Sequence, residues 1–422
     1  MTSAALLAAA SLAACGGGDS SSGSSSSNDT TGPITYVQGK DTAGNVKPML
    51  DKWNSMHPDQ KVRLIELPED ADAQRQRMIQ NAQIKSAEFG VLSVDVVWTS
   101  EFAANGWIDQ LPEKDYPLDQ MLPPVVATTK YFGKVYAIPQ GSDGGMLYYR
   151  TDLLKAAGVA KPPTTWDEML ADCKKAQATP QGKGVQCYAG QFQKYEGLTV
   201  NFAEAVNSAG GVITDDNGKP NVNTPEAKKG LEFLTNGFKQ GYIPKAGITY
   251  KEEEGRRAFQ AGELMFHRQW PYQYAKASAK DGSSKVAGKF AVAPLPGLTE
   301  AGSSSLGGHN LAVSKYTKNK KTARDFIKFY SSEETQKFNL EKASLAPTYS
   351  SLYDDTSLQK TYPYLPVLKA SIEKAVPRPK VVKYGDVTAA IQDQAYAALQ
   401  GQKTPDQALS DLQTKLEELT KK

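Results

Sequence analysis

Arg378 stands between Pro377 and Pro379, and Trp270 precedes Pro271 with Tyr272 and Tyr274 close behind. An arginine on stiff backbone presents a planar fork of donors at low entropic cost, and an indole presents a flat apolar face. The carboxylates of Asp95, Glu101 and Asp143 are acceptors. Together these residue types can donate to, accept from and stack on a polar solute. Bland roles stand beside each one: a core Trp, a surface Arg, a turn-forming Asp, and a helix-capping Glu.

The groups that break bonds are missing as motifs. The sequence has no His-Glu-x-x-His, no Gly-x-Ser-x-Gly, no Gly-x-x-x-x-Gly-Lys and no Gly-x-Gly-x-x-Gly. His57, His267 and His309 lack metal-ligand spacing. The run Glu252-Glu253-Glu254 reads as a solvated helix start. A glycosidase needs two carboxylates about 5–10 Å apart, which spacing in a sequence does not reveal. The expectation is a binder rather than an enzyme, with no cofactor and no metal.

The elements that would position these groups follow from patterning. Ile34-Thr35-Tyr36-Val37 and Val62 to Leu67 read as strands, with a helix between them carrying Val46, Met49, Leu50 and Trp53 on one face. Asp70 or Asp72 caps the next helix, and Val94 to Trp98 is a further buried strand. This strand–helix–strand rhythm predicts a parallel α/β sheet. Asp95 and Glu101 then flank a strand end containing Trp98, where ligands of α/β sheets usually sit. Thr165 with Glu168 has capping-box spacing, and Thr224-Pro225 and Thr404-Pro405 mark helix starts. Leu409, Leu412, Leu416 and Leu419 form a core-facing helical stripe.

The chain of 422 residues is long enough for two or three domains, at about 100–200 residues each. Hydrophobic residues make up 40% and charged residues 23%, and 49 Lys and Arg against 46 Asp and Glu leave a net charge of +3. That balance gives no field for nucleic acid. Residues Ala4 to Ala14 are apolar, too short to span a bilayer, and suit an export signal. No Lys or Arg precedes them, so the natural start is expected slightly upstream. Gly16 to Gly32 is a Gly/Ser-rich flexible tether. In an exported protein Cys173 and Cys187 are expected to form a disulfide rather than a metal pair, two free buried thiols being the alternative.

Leu12-Ala13-Ala14-Cys15-Gly16 resembles a bacterial lipobox, which makes Cys15 the lipidated first residue of the mature chain. Further segments resemble extracellular solute-binding proteins of sugar ABC importers. They are Tyr148 to Leu154 followed by Thr164-Thr165-Trp166-Asp167-Glu168, then Phe259 to Phe266 before Trp270-Pro271. Gly307-Gly308 before Leu311 to Ser314, and Pro377-Arg378-Pro379 before Tyr384, continue the likeness, which spans Ile34 to Leu399. Asp95 to Phe102 with Gly106-Trp107 is similar to the trehalose/maltose-binding lipoproteins of actinobacteria.

The resemblance implies a periplasmic-binding-protein-like α/β fold of two lobes with a hinge and a ligand cleft between them. Residues 1–14 would be the signal peptide and 15–32 the lipidated tether. Residues 33–141 plus 302–346 would form the N-terminal lobe, and 142–301 plus 347–422 the C-terminal lobe, with crossings near Gly141, Gly302 and Ala346. The implied ligand is a small oligosaccharide such as trehalose or maltose. It would be delivered by a monomeric, lipid-anchored protein on the outer face of the cell membrane to ABC permease subunits. The expected ligand-binding set joins residues the resemblance implies, Trp270 as stacking platform, Asp143, Lys40 and Asp41, with residues chosen by their own chemistry and position, Tyr272, Arg378, Asp95, Glu101, Trp98, Gly307 and Gly308. The competing classes are a binder of a phosphorylated polyol or peptide, a secreted glycosidase, and a surface adhesin.

Overall fold

In the computed structural model of the protein, residues 30–215 and 218–421 are described. The strands in chain order are β1 (Ile34–Gly39), β2 (Val62–Leu67), β3 (Val91–Asp95), β4 (Lys130–Tyr131), β5 (Lys134–Val135), β6 (Ile138–Gly144), β7 (Met146–Arg150), β8 (Gln186–Ala189), β9 (Leu264–Gln269), β10 (Phe290–Ala293) and β11 (Leu306–Val313). They make two main sheets, ordered β2-β1-β3-β11-β6 and β10-β7-β9-β8, and the small hairpin β4-β5. The alternation of strands with amphipathic helices places helices over the sheet faces, as the α/β reading of the sequence expects.

The three strands on which the parallel expectation rested are parallel, but neither main sheet is parallel throughout. β1 runs parallel to β2 and β3, but β11 is antiparallel to both β3 and β6. In the second sheet only the β8–β9 pair is parallel. The strand–helix rhythm reports neighbours along the chain. β11 enters the first sheet only after the chain has built the second, so its direction was not written in local pattern.

Local signals hold where they are short-range. Val46, Met49, Leu50 and Trp53 are buried in the helix Val46–Met56. Asp70, not Asp72, caps the helix Ala71–Gln83, its carboxylate accepting from the Ala73 N–H at 3.0 Å. Thr165 and Glu168 form a capping box on Trp166–Gln177, and Thr404 forms one with Gln407 on Pro405–Thr420. Leu409, Leu412 and Leu416 are buried, and Leu419 packs beside them. The described residues contain no helix long and apolar enough to cross a membrane.

The chain leaves the first sheet at Gly144 and enters the second at Met146, so Gly141 lies inside β6 rather than at the crossing. It returns between Ala293 and Leu306. Near Ala346 it passes β6 again, where the Ser142 N–H donates to the Ala346 carbonyl at 3.1 Å. The helix Leu365–Glu373 then packs on β6 and β7, and Tyr384–Leu399 packs on Glu196–Ser208. The strap between those helices carries Arg378. Cys173 and Cys187 are bonded with Cα atoms 5.4 Å apart, tying Trp166–Gln177 to β8. Cys15 and the signal and tether segments up to residue 29 lie outside the described residues.

Candidate solute-binding cleft

A cleft of about 610 Å³ opens between the two sheets. One wall comes from the loop after β1 (Lys40 to Ala43), the end of β3 (Asp95), β6 (Asp143) and β11 (Gly307 to His309). The other comes from Glu196, from Lys251 to Glu254, and from Trp270 and Tyr272 just after β9. Arg378 closes the floor from the strap. The volume lies within the range of about 300–1,000 Å³ usual for small-molecule sites.

Trp270 is partly buried and lies against the floor. The Arg268 guanidinium carbon sits 3.8 Å from its ring centroid, a cation–π contact that fixes the indole plane. Arg268 itself is 1% exposed and donates to Glu204 from Nε at 2.6 Å. Glu204 Oε1 also accepts from the Ser305 N–H at 3.1 Å, so this ion pair anchors the chain where it returns to the first sheet. Gly307 lets the indole approach: a Cβ there would stand 2.9 Å from two ring carbons of Trp270 and 3.2 Å from the Asp143 Cβ. Gly308 has φ +107, and a Cβ on it would meet the Gly141 carbonyl at 2.3 Å. The two glycines are therefore packing devices inside the β11–β6 ladder.

Arg378 is 3% exposed and is already engaged. Its Nη2 donates to Asp95 Oδ1 at 2.8 Å, and its Nη1 donates to Glu196 Oε1 at 2.5 Å. Glu196 also accepts from the hydroxyls of Tyr384 and Thr388. Burial pushes the Glu196 carboxyl up, against the pull of Arg378. The sequence reading casts Arg378 and Asp95 as ligand contacts. Both line the cleft, where they are joined in a buried ionic knot that links the end of β3 to the helix Glu196–Ser208.

Asp143 and His309 are two polar groups of the lining left open. The Asp143 carboxylate accepts no hydrogen bond among the described residues, and burial pushes it up to about 7, with Arg268 opposing and Asp95 adding. Burial also lowers the pKa of the His309 imidazole, which makes no hydrogen bond among the described residues. A hydroxyl can satisfy both kinds of group, since it donates and accepts.

The remaining expected residues divide. Tyr272 lines the cleft with its hydroxyl bound to Glu253 at 2.8 Å. Lys40 sits at the rim, 3.4 Å from Glu69, with 62% of its side chain exposed. Asp41 reaches the cleft wall, but its carboxylate accepts from the N–H groups of Gly44 at 2.8 Å and Val46 at 3.0 Å. Trp98 and Glu101 do not line the cleft. β3 ends at Asp95, so Trp98 falls in the turn before the helix Thr99–Ala104 and is 1% exposed, packed on Phe102. Glu101 turns back to Arg75, whose Nε donates to it at 2.7 Å.

Sequence reasoning missed Glu196, Tyr195, Glu252 and Lys251. Glu252 is no solvated helix start: it is partly buried, and the Tyr195 hydroxyl donates to it at 2.7 Å. Lys251 reaches across the cleft mouth to Asp70 at 2.6 Å. Acidic side chains outnumber basic ones along the lining, which disfavours an anionic solute. No group of His, Cys, Asp and Glu among the described residues suits a metal ion.

Two sheets meeting at a polar, aromatic-floored cleft, with the chain passing repeatedly between them, define a two-lobed binding protein. The chain belongs to the family of bacterial extracellular solute-binding proteins, whose model matches residues 39–337. It is 36% identical to a probable ABC transporter-binding protein of Deinococcus radiodurans, over 84% of this chain and 86% of the relative. It is 26% identical to the mannitol-binding protein of Pseudomonas aeruginosa, over 86% of each chain. Among solved structures, the maltose-bound MalE3 of T. maritima superposes with a TM-score of 0.87 at 32% identity, covering 92% of this chain and 99% of that one.

Proposed function

We propose that the protein is the substrate-binding component of an ABC importer, capturing a neutral, hydroxyl-rich solute in the interlobe cleft and presenting it to membrane permease subunits. The carrying observation is the pairing of a Trp270 face fixed by Arg268 with the open Asp143 carboxylate beside it. A flat apolar ring covers the C–H face of a sugar while a carboxylate accepts from its hydroxyls. The preferred ligand is a disaccharide, maltose or trehalose. The likeness to a maltose-bound structure at 32% identity supports it.

This reading keeps the lobes at residues 33–141 plus 302–346 and 142–301 plus 347–422, with the first carried on to the end of β6 at Gly144. The monomeric protein is held at the outer face of the membrane by a lipid on Cys15. A polyol is the second reading, favoured by the mannitol-binding relative at 26% identity. A phosphorylated polyol is disfavoured by the acidic lining.

Isothermal titration of protein beginning after residue 32 against maltose, trehalose, mannitol, mannitol 1-phosphate and a dipeptide tests the reading. Saturable binding of maltose or trehalose is expected. Binding of the dipeptide or the phosphate ester alone overturns it, and release of reducing sugar during the titration points to a hydrolase.

A further inference from the structure

Behind the cleft, between β6 and the helix Glu333–Ala343, lies an annex of about 80 Å³. It opens from the cleft, since Asn45, Asp143 and His309 line both spaces. Its inner wall is made by Gln336, Asn339 and Ala346, with Leu345 at the junction with the cleft.

Away from Asp143 and His309, the polar side chains of the annex are neutral amides held in place. Asn45 and Asn339 are 4% and 6% exposed, and Asn45 Nδ2 donates to Asn339 Oδ1 at 3.0 Å. That bond leaves Asn45 Oδ1 as a free acceptor and Asn339 Nδ2 as a free donor, with no other partner among the described residues. Gln336 is held at both ends of its amide: its Oε1 accepts from the Thr348 N–H at 2.6 Å and its Nε2 donates to Ser331 O at 3.1 Å. Leu345 and Ala346 add an apolar side. One free donor, one free acceptor and a patch of hydrocarbon match a CH₂OH group, whose oxygen takes one hydrogen bond and gives another. The space is too small for a second sugar ring. A ligand that closes over this donor and acceptor without pairing them leaves each at a penalty, so a ligand lacking this arm is selected against.

We propose that the annex is a specificity subsite that takes the hydroxymethyl arm of the bound solute, with Asn339 Nδ2 donating to its oxygen and Asn45 Oδ1 accepting its proton. This rests on the sugar reading of the cleft and narrows it to hexose units over pentoses. D-Xylose is D-glucose without that arm, so the pair isolates the annex; maltose and its 6-deoxy and 6′-deoxy derivatives repeat the comparison.

Titration calorimetry of the wild-type protein should show glucose at least tenfold tighter than xylose. One of the two deoxymaltoses, not both, should be weakened at least tenfold against maltose. Asn339→Leu, which fills the annex, and Asn339→Asp, which keeps its volume but replaces the donor, should each reduce these ratios at least fivefold, with xylose affinity unchanged. Thermal melts check that both variants fold. Equal wild-type affinities within each comparison, or ratios untouched by both variants, overturn the subsite while leaving the sugar reading standing. Failure of the wild-type protein to bind both glucose and maltose overturns the subsite, and failure to bind trehalose as well overturns the sugar reading.

Discussion

The Arg378 guanidinium donates to Asp95 at 2.8 Å, joining two residues separated by 283 positions in the chain. Glu196 shares the same guanidinium from the opposite side of the cleft. The knot is buried, so its net contribution is small against a hydrophobic replacement, but removing one member exposes the others to a low-dielectric interior without compensation.

Arg378→Gln should therefore destabilise the ligand-free protein by about 3–5 kcal/mol, the cost of orphaning buried charges. Urea unfolding followed by tryptophan fluorescence measures it. Because the orphaned carboxylates can be neutralised by protonation, the loss should be smaller at pH 5 than at pH 8. Adding Glu196→Gln should restore part of it. A midpoint unchanged from the wild type at pH 8 means that the knot is not intact in solution.

Asp143 gives a second pH signature, of opposite origin. Its carboxyl titrates at about 7 in the folded chain against 3.8 for an unperturbed one, with burial as the main cause. A folded pKa raised in this way contributes stability that is present below 3.8 and lost as pH rises through 7. Asp143→Asn removes the titration. Relative to the variant, the ligand-free wild type should lose about 1–3 kcal/mol between pH 4 and pH 8, less than the full shift allows because the group faces the cleft. Parallel stability curves for the two proteins across that range sink the assignment.

How much of this was legible in the sequence depends on the range of each signal. The capping boxes at Thr165 and Thr404 and the buried face of Val46–Met56 are encoded within a few residues, and they appear as expected. Trp270 and Asp143 were placed by a family likeness that carries positional information composition lacks, and Tyr272 by its nearness to Trp270; all three line the cleft. Trp98 and Glu101 went wrong by a strand boundary: the apolar run Val94 to Trp98 reads as one strand, whereas β3 ends at Asp95 and the rest turns into a helix. Glu196 had no local mark, since its partners Arg378 and Tyr384 lie 182 and 188 residues away. Glu252 looked like a solvated charge run, and only packing against Tyr195 reveals its inward face.

The stacking role of Trp270 can be separated from its structural role. The indole is partly buried, with Arg268 beneath it and Gly307 at its edge. Trp270→Ala removes the stacking face and should weaken sugar binding by about 2 kcal/mol, roughly 30-fold. Trp270→Phe keeps an aromatic face on the same backbone and should recover much of that loss. Gly307→Ala leaves the indole present but places a Cβ 2.9 Å from it, so the ring must shift. If the ring is a platform, Gly307→Ala should lower affinity at least fivefold and displace the tryptophan emission, while the melting temperature moves by only a few degrees. A purely structural tryptophan predicts the reverse: lower melting temperatures for Trp270→Ala and Gly307→Ala with unchanged affinity in the folded fraction.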